Sequence, residues 1–250
     1  MLHRVHDYRH LITRWRAVAR KAGLKLRHLA RDDGFELFYL DTGDTTPGLY
    51  LSAGIHGDEA AAPEALIQWA EHNAKNLSSW PLLIFPCLNP WGIRNNSRFD
   101  SKGRDLNRLF QGDSHPVVAA VRRVVKNRRF PVSLSMHEDY DAQGIYLYEV
   151  QRGKSRLGET LLAAARKSLP PDPRPSIDGR KADKGLIRRR FSPRVFEKIG
   201  YPEAIWLHLH HSEYTFTFET PSEAALDLRV KAHMAVVDEC LRTVLNSPRI

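Results

Sequence analysis

The stretch Leu49–Glu59, LYLSAGIHGDE, constrains the chain more than any other. Leu49, Leu51 and Ala53 alternate with Tyr50 and Ser52, the pattern of a short, mostly buried strand. Gly54 breaks the run, and His56, Gly57, Asp58 and Glu59 follow before a helix-like segment over 60–73. A histidine and a carboxylate three residues apart, where a strand hands over to a helix, can both point at one ion. Gly57 between them lets the backbone turn tightly. Zinc takes imidazole nitrogen and carboxylate oxygen, and a hydrolytic zinc site needs three protein ligands with one position open. The competing expectation is a polar loop in which Asp58 or Glu59 caps the next helix. A third ligand has to come from elsewhere in the chain.

Length and composition narrow the classes. The 250 residues fit one domain over 1–250 with ample length for a core. No stretch approaches the roughly 20 apolar residues of a membrane helix, and the charged start, MLHRVHDYRHLITRWR, is not of signal-peptide type. Cys87 and Cys240 both sit in apolar runs and are expected to be reduced core residues. The cytoplasm is the expected compartment, with no membrane partner. The net charge of +9 raises a nucleic-acid surface or an anionic substrate. The charges are spread along the chain, however, with one dense run at Lys181–Arg190 and no interleaved aromatics of the kind single-strand binders use. A solvated basic face is the expectation, against nucleic acid.

Taken in order, helical spacing over 8–22 ends at Gly23, and Glu36–Leu40 reads as a strand. LLIFPCL over 82–88 is a buried-type strand, and 89–104 is a polar excursion. Helix follows over 116–126, strands over 132–136 and 145–149, and an amphipathic helix over 155–169, stopped by PPDPRP. Residues 170–204 read as a long loop over the domain, of the kind that forms functional lids. Tyr214–Glu219 is a strand, and Thr220-Pro221-Ser222-Glu223 reads as a capping box opening a last helix that runs to about Leu245. Strands alternating with helices predict an α/β fold: a central mixed, largely parallel twisted sheet flanked by helices.

Ligands in such sheets gather at the carboxyl ends of strands. His56 and Glu59 follow one strand, Asn89 another, His137 ends 132–136 and Glu219 ends 214–219. His, Glu, His and Glu on convergent strand ends make a metal-hydrolase site with a spare carboxylate. Within NPWGIRNNSRFDSKGRDLNRLF over 89–110, Asn107 and Arg108 offer an amide and a forked guanidinium suited to gripping a carboxylate. His208, His210 and His211 alternate on a possible strand and tempt a second metal site, although only Glu213 stands near them as a carboxylate.

The ordered set HxxE, NP.G, R…DLNR, a histidine after a strand and a strand-borne glutamate resembles the zinc carboxypeptidase family, of carboxypeptidase A type. It also resembles the aspartoacylase and succinylglutamate desuccinylase branch of the same clan. The resemblance covers about two-thirds of the chain and implies one zinc per chain, held by His56, Glu59 and His137. It implies Glu219 as general base, Arg98 as the arginine that polarises the scissile carbonyl, and Asn107 with Arg108 as the carboxylate-binding pair. Arg104 is the competitor for the role of Arg98. Trp91 stands where the family has aspartate in NPDG, and the family's mobile tyrosine has no anchored motif here, with Tyr201 and Tyr214 as candidates. The expected function is hydrolysis of a C-terminal amide bond of a small peptide with a free terminal carboxylate. The runs GIHGDEAAAPEAL and FETPS resemble bacterial murein-peptide amidases in particular. The first alternative is an N-acyl-amino-acid deacylase of the aspartoacylase type, set second because those relatives carry a β-rich domain after the catalytic glutamate. The other is a catalytically dead basic scaffold or nucleic-acid-binding protein. Arg174, Arg180, Lys181, Lys184, Arg188, Arg189 and Arg190 are expected to form a cationic lid favouring substrates with carboxylates beyond the terminal one.

Overall fold

The sequence sorts itself into one eight-stranded sheet with helices on both faces. The computed structural model describes residues 4–43, 48–151, 156–189 and 200–246. The strands are β1 (Leu26–Asp32), β2 (Phe35–Asp41), β3 (Leu49–Ala53), β4 (Leu82–Phe85), β5 (Phe130–Asp139), β6 (Tyr146–Gln151), β9 (Leu186–Arg189) and β10 (Ser212–Pro221), in the order β1-β2-β4-β3-β5-β10-β6-β9. A separate hairpin pairs β7 (Ser176–Ile177) with β8 (Arg180–Lys181). Pairing is parallel through β4, β3, β5 and β10, and antiparallel at β1–β2, β2–β4 and β10–β6. The fold is therefore the mixed α/β sheet expected from the alternation of strands and helices.

Parity along the strands decides what faces what, because successive side chains point to opposite faces. Leu49, Leu51, Val132, Leu134, Met136, Phe216 and Phe218 are buried in one core with helices α1 (Tyr8–Lys21), α2 (Ala61–His72), α5 (Leu157–Ala165) and α7 (Leu226–Asn246). Tyr50, Ser52, Ser133, Ser135 and Thr215 occupy the alternate positions, facing α4 (Pro116–Val125) and α6 (Glu203–His210). Each large apolar side chain in these layers contributes on the order of 2 kcal/mol by leaving water. Both cysteines are buried and free. No helix among the described residues is long and apolar enough to cross a membrane.

Three expectations change. His208 and His210 lie on α6, with His211 as its C-cap, rather than on a strand. Residues 170–204 are not one long loop: they hold the β7–β8 hairpin and strand β9, which extends the sheet beside β6. The capping box does not form either. Strand β10 continues through Thr220 and Pro221, in register with Glu138 and Asp139, and α7 opens only at Leu226. Buried Thr220 places its hydroxyl 3.2 Å from His233 Nε2, so tertiary contacts take the oxygen a helix cap would have used. The N-terminal strand β1, which carries Arg27, His28, Arg31 and Asp32, shows no alternation that sequence would have flagged.

Candidate active site

Strand β3 ends at Ala53, and Gly54, at φ +61°, turns the chain so that its carbonyl accepts the Asn89 backbone N–H at 2.8 Å. Two loops thereby close on each other. Asn89 N-caps α3 (Pro90–Asn95) by accepting from the Gly92 N–H, and its amide donates to Phe99 O, which fixes the turn leading from Arg98. Gly57 N–H donates to Ser97 O at 2.9 Å, and a Cβ on Gly57 would sit 1.9 Å from the Gly92 carbonyl carbon. The glycine of HxxE and the glycine of NPWG are thus one contact, and Trp91 leaves this turn intact.

His56, Glu59 and His137 are all buried, and one ligand atom from each lies within 4.8 Å of the others. They form the one such group among the described residues, so the histidines of α6 make no second one. Glu59 Oε1 lies 2.6 Å from His56 Nδ1 and Oε2 lies 2.8 Å from His137 Nδ1. Both carboxylate oxygens are therefore turned away from the helix, and the N-cap of α2 makes no side-chain bond, which removes the capping alternative. Two imidazole nitrogens and a carboxylate, dry and converging, are the donor set that suits zinc. His56 Nε2 lies 3.3 Å from Asp105 Oδ1, so an acidic partner orients the ring from behind. Burial opposes charge on His56, but Glu59 and Asp105 outweigh it and raise the ring to about 9. Burial likewise works against Glu59, yet the two flanking imidazoles hold its carboxyl well below the usual range.

Register places the fourth group. Glu219 pairs with His137 across β5–β10 and with Tyr146 across β10–β6, so the three lie in one row. Burial pushes Glu219 up to about 8, against the opposing pull of His137. Its Oε2 is buried and has no hydrogen-bond partner among the described residues. Such an atom is costly to leave unsatisfied and is a natural place for a water proton to go.

A cavity of about 470 Å³ joins these groups and is also lined by Arg98, Asn107, Arg108, Tyr146, Tyr148 and Arg180. Arg98 is half-buried, donates to Asp105 at 3.0 Å and lies 3.7 Å from Glu59. Arg104 does not line the cavity, being held by Asp100 at 2.7 Å. Asn107 and Arg108 sit on a short 3₁₀ turn, Leu106–Arg108, capped by Asp105. Tyr214 does not line the cavity. It shares the face of Phe216 and Phe218, opposite to Glu219, and packs against the apolar core. Tyr146 and Tyr148 are the tyrosines that reach the cavity, with hydroxyls donating to Asp139 and Asp178. Sequence reasoning missed them, although their even spacing on β6 was a usable signal. It also left Asp105 of DLNR without a role.

The profile of the succinylglutamate desuccinylase/aspartoacylase catalytic domain family matches residues 45–139. A succinylglutamate desuccinylase of Pseudomonas putida is 38% identical over 92 residues, 36% of this chain and 26% of that protein. The chain thus spans about a quarter of the length of the curated relatives it matches. Likeness of fold runs much further. A candidate metallopeptidase of Shewanella denitrificans superposes with a TM-score of 0.84 at 21% identity, covering 96% of this chain and 91% of that one. A metallo-carboxypeptidase of Burkholderia cenocepacia gives 0.71 at 14% identity, covering 95% and 69%. The architecture is that of the metallocarboxypeptidases. The stretch that carries His56, Glu59, Asn107 and His137 is similar in sequence to the desuccinylase and aspartoacylase catalytic domain.

Proposed function

We propose that this chain is a zinc-dependent hydrolase that cleaves an amide bond and releases an amino acid bearing a free carboxylate. The observation that carries it is the convergence of buried His56, Glu59 and His137 with the unpartnered Glu219 oxygen in one cavity that also holds Asn107 and Arg108. Zinc held by the three ligands supplies Lewis acidity towards a carbonyl and acidifies a water. Glu219 accepts the water proton at Oε2 and later delivers it to the leaving nitrogen, a role for which a raised carboxyl is suited. Arg98 faces the same space and stabilises the negative oxygen that develops at the attacked carbon. Asn107 and Arg108 grip the carboxylate of the departing residue through the amide and the guanidinium.

Within that reaction, the finer reading is a carboxypeptidase acting on a small peptide, including γ-glutamyl peptides of the murein type. The cavity supports it by extending past the ligands to Tyr148, Asp178 and Arg180, leaving room for residues on the acyl side. The second reading, an N-acyl-amino-acid deacylase, is supported by the desuccinylase and aspartoacylase match over 45–139. Both release an amino acid with a free carboxylate. The test is zinc reconstitution followed by assays of peptides with free or amidated C-termini, a murein tripeptide, N-succinylglutamate and N-acetylaspartate. Glu219→Gln should retain zinc and lose about 10²–10⁴-fold in kcat. Faster turnover of the two N-acyl amino acids than of any peptide selects the deacylase. Zinc-independent turnover, or full activity of Glu219→Gln, overturns the reading altogether.

A further inference from the structure

Glu203 opens helix α6 and is fully buried, yet it lines no part of the cavity. Its carboxylate meets no cation among the described residues. Instead Oε1 accepts from the Tyr50 hydroxyl at 2.6 Å, and Oε2 accepts from the hydroxyls of Ser52 and Ser135 at 2.6 and 2.8 Å. Burying a carboxylate is expensive, and three hydroxyl donors are what makes it tolerable here. An apolar residue would fill the space at less cost, so the geometry asks what the carboxylate holds in place.

It holds three segments together. Tyr50 and Ser52 lie on β3, which leads to His56, and Ser135 lies on β5 two residues before His137. Ser52 and Ser135 are register partners. The third segment is the start of α6, where the backbone N–H of Glu203 donates to Asn107 Oδ1 at 2.9 Å. That N–H belongs to the first helical position and has no partner within its own helix, so Asn107 serves as its cap. With Oδ1 committed, the amide orientation is fixed and its two N–H bonds remain for a ligand. The neighbouring chain is laced to the same turn: Phe110 N–H donates to Tyr201 O at 3.1 Å, and a Cβ on Gly200 would lie 2.1 Å from Arg108 O.

We infer that Glu203 is a positioning residue that sets the spacing between the His56–Glu59–His137 centre and the Asn107–Arg108 pair, and so selects a leaving residue with its carboxylate one carbon from the amide nitrogen. The inference rests on the carboxylate-gripping role proposed above for Asn107 and Arg108. Loss of the carboxylate frees the α6 start from the two ligand-bearing strands and loosens that distance. The cost falls on placement of the departing carboxylate, whereas the metal ligands and Glu219 keep their own supports.

The test uses the zinc-loaded full chain and paired substrates whose leaving residue is an α-amino acid or its homologue with one more methylene. Glu203→Ala should raise KM for the α-substrate about tenfold, keep kcat within about threefold, and keep zinc stoichiometry. The preference for α over the homologue should fall by about tenfold, within the range one methylene commands. On an Asn107→Ala background the Glu203 substitution should add nothing, since it acts through that residue. Glu203→Gln, which keeps volume and one carbonyl acceptor, should recover part of the preference and covers the case in which the alanine variant does not fold. An unchanged preference in the folded Glu203 variants, or losses that simply add to those of Asn107→Ala, overturns the inference. If Asn107→Ala itself leaves KM for the free-carboxylate substrate unchanged, the underlying role of that pair fails and the inference goes with it.

Discussion

Glu59 and His137, 78 positions apart, are joined by a 2.8 Å contact in which the glutamate spends one oxygen on each of two imidazoles. Two opposite consequences follow. The pair charges stabilise the metal-free site, and the same protons must leave before a cation can bind.

Metal uptake should therefore be strongly pH-dependent. In the metal-free protein His56 is raised from 6.5 to about 9, and His137 is also raised, by Glu59 against burial. The stability that charged His56 contributes is fully present below pH 6.5 and is lost as pH rises through about 9. Zinc affinity should move the other way, growing about one to two log units per pH unit between pH 6 and 8 as one or two protons are displaced. Calorimetry in buffers of different ionisation enthalpy counts those protons. An affinity flat across this range would contradict the arrangement.

Arg98 and Arg104 differ by environment rather than by type. Arg98→Ala should lower kcat/KM by about 10²–10³-fold with zinc retained, the scale of losing one donor to a developing oxyanion. Arg104 is bound to Asp100, whose carboxyl is held below its usual range by Arg104 and by backbone N–H groups, against burial. Arg104→Ala should lower the melting temperature while leaving kcat/KM within about threefold. Equal kinetic losses in both variants would show that position in the cavity does not separate them.

The cluster of His56, Glu59 and His137 was legible because its first two members are local: a strand, a glycine and HxxE fix His56 and Glu59 before any tertiary contact exists. His137 and Glu219 were legible as polar residues ending apolar strands, and the register then joins them. Other parts were hidden for physical reasons. HLHH fits a strand's period of two, but the apolar and buried positions over 203–208 serve a short helix equally well, and only the sheet beneath decides. Tyr214 lay near Glu219 in sequence but an odd number of positions from it, which puts the two on opposite faces of β10. The hairpin in 170–204 was masked by its prolines and charges. Its turn, with Asp178 at φ 51° and Gly179 at φ 67°, is nonetheless the Asp-Gly pair that favours a two-residue hairpin.

The contact between Gly57 and Gly92 predicts a fold defect that also removes function. In Gly57→Ala the new methyl carbon meets backbone of α3, which cannot step aside as a flexible side chain would. The variant should lose about 2–3 kcal/mol of stability and bind zinc at least tenfold more weakly, because the loop of His56 and the loop of Arg98 are pushed apart. Urea unfolding and zinc titration measure the two effects. A wild-type midpoint in urea would mean the loops are not held by this approach.

The basic run resolves into residues with different commitments. Arg174 is bound by Asp172 through two of its nitrogens, and Arg188 is bound by Glu149 and Glu159 and does not line the cavity. Arg190 lies outside the described residues. Arg174 and Arg180 both line the cavity, and of the two Arg180, on β8, has no ion-pair partner among the described residues. Lys181 and Lys184 do not line the cavity, so among the described residues the lid expectation narrows to Arg180. Arg180→Gln should raise KM about three- to tenfold for substrates with a carboxylate beyond the terminal one, and leave neutral analogues within twofold. The gap should shrink between 0.05 and 0.5 M salt, because a half-exposed charge is screened over about 10 Å at 0.1 M. Arg188→Gln should leave both substrates alike but lower stability, because Glu149 is fully buried and loses its guanidinium partner. If acidic and neutral substrates lose the same factor in Arg180→Gln, or if Arg188→Gln matches it, charge at the cavity rim does not select the substrate.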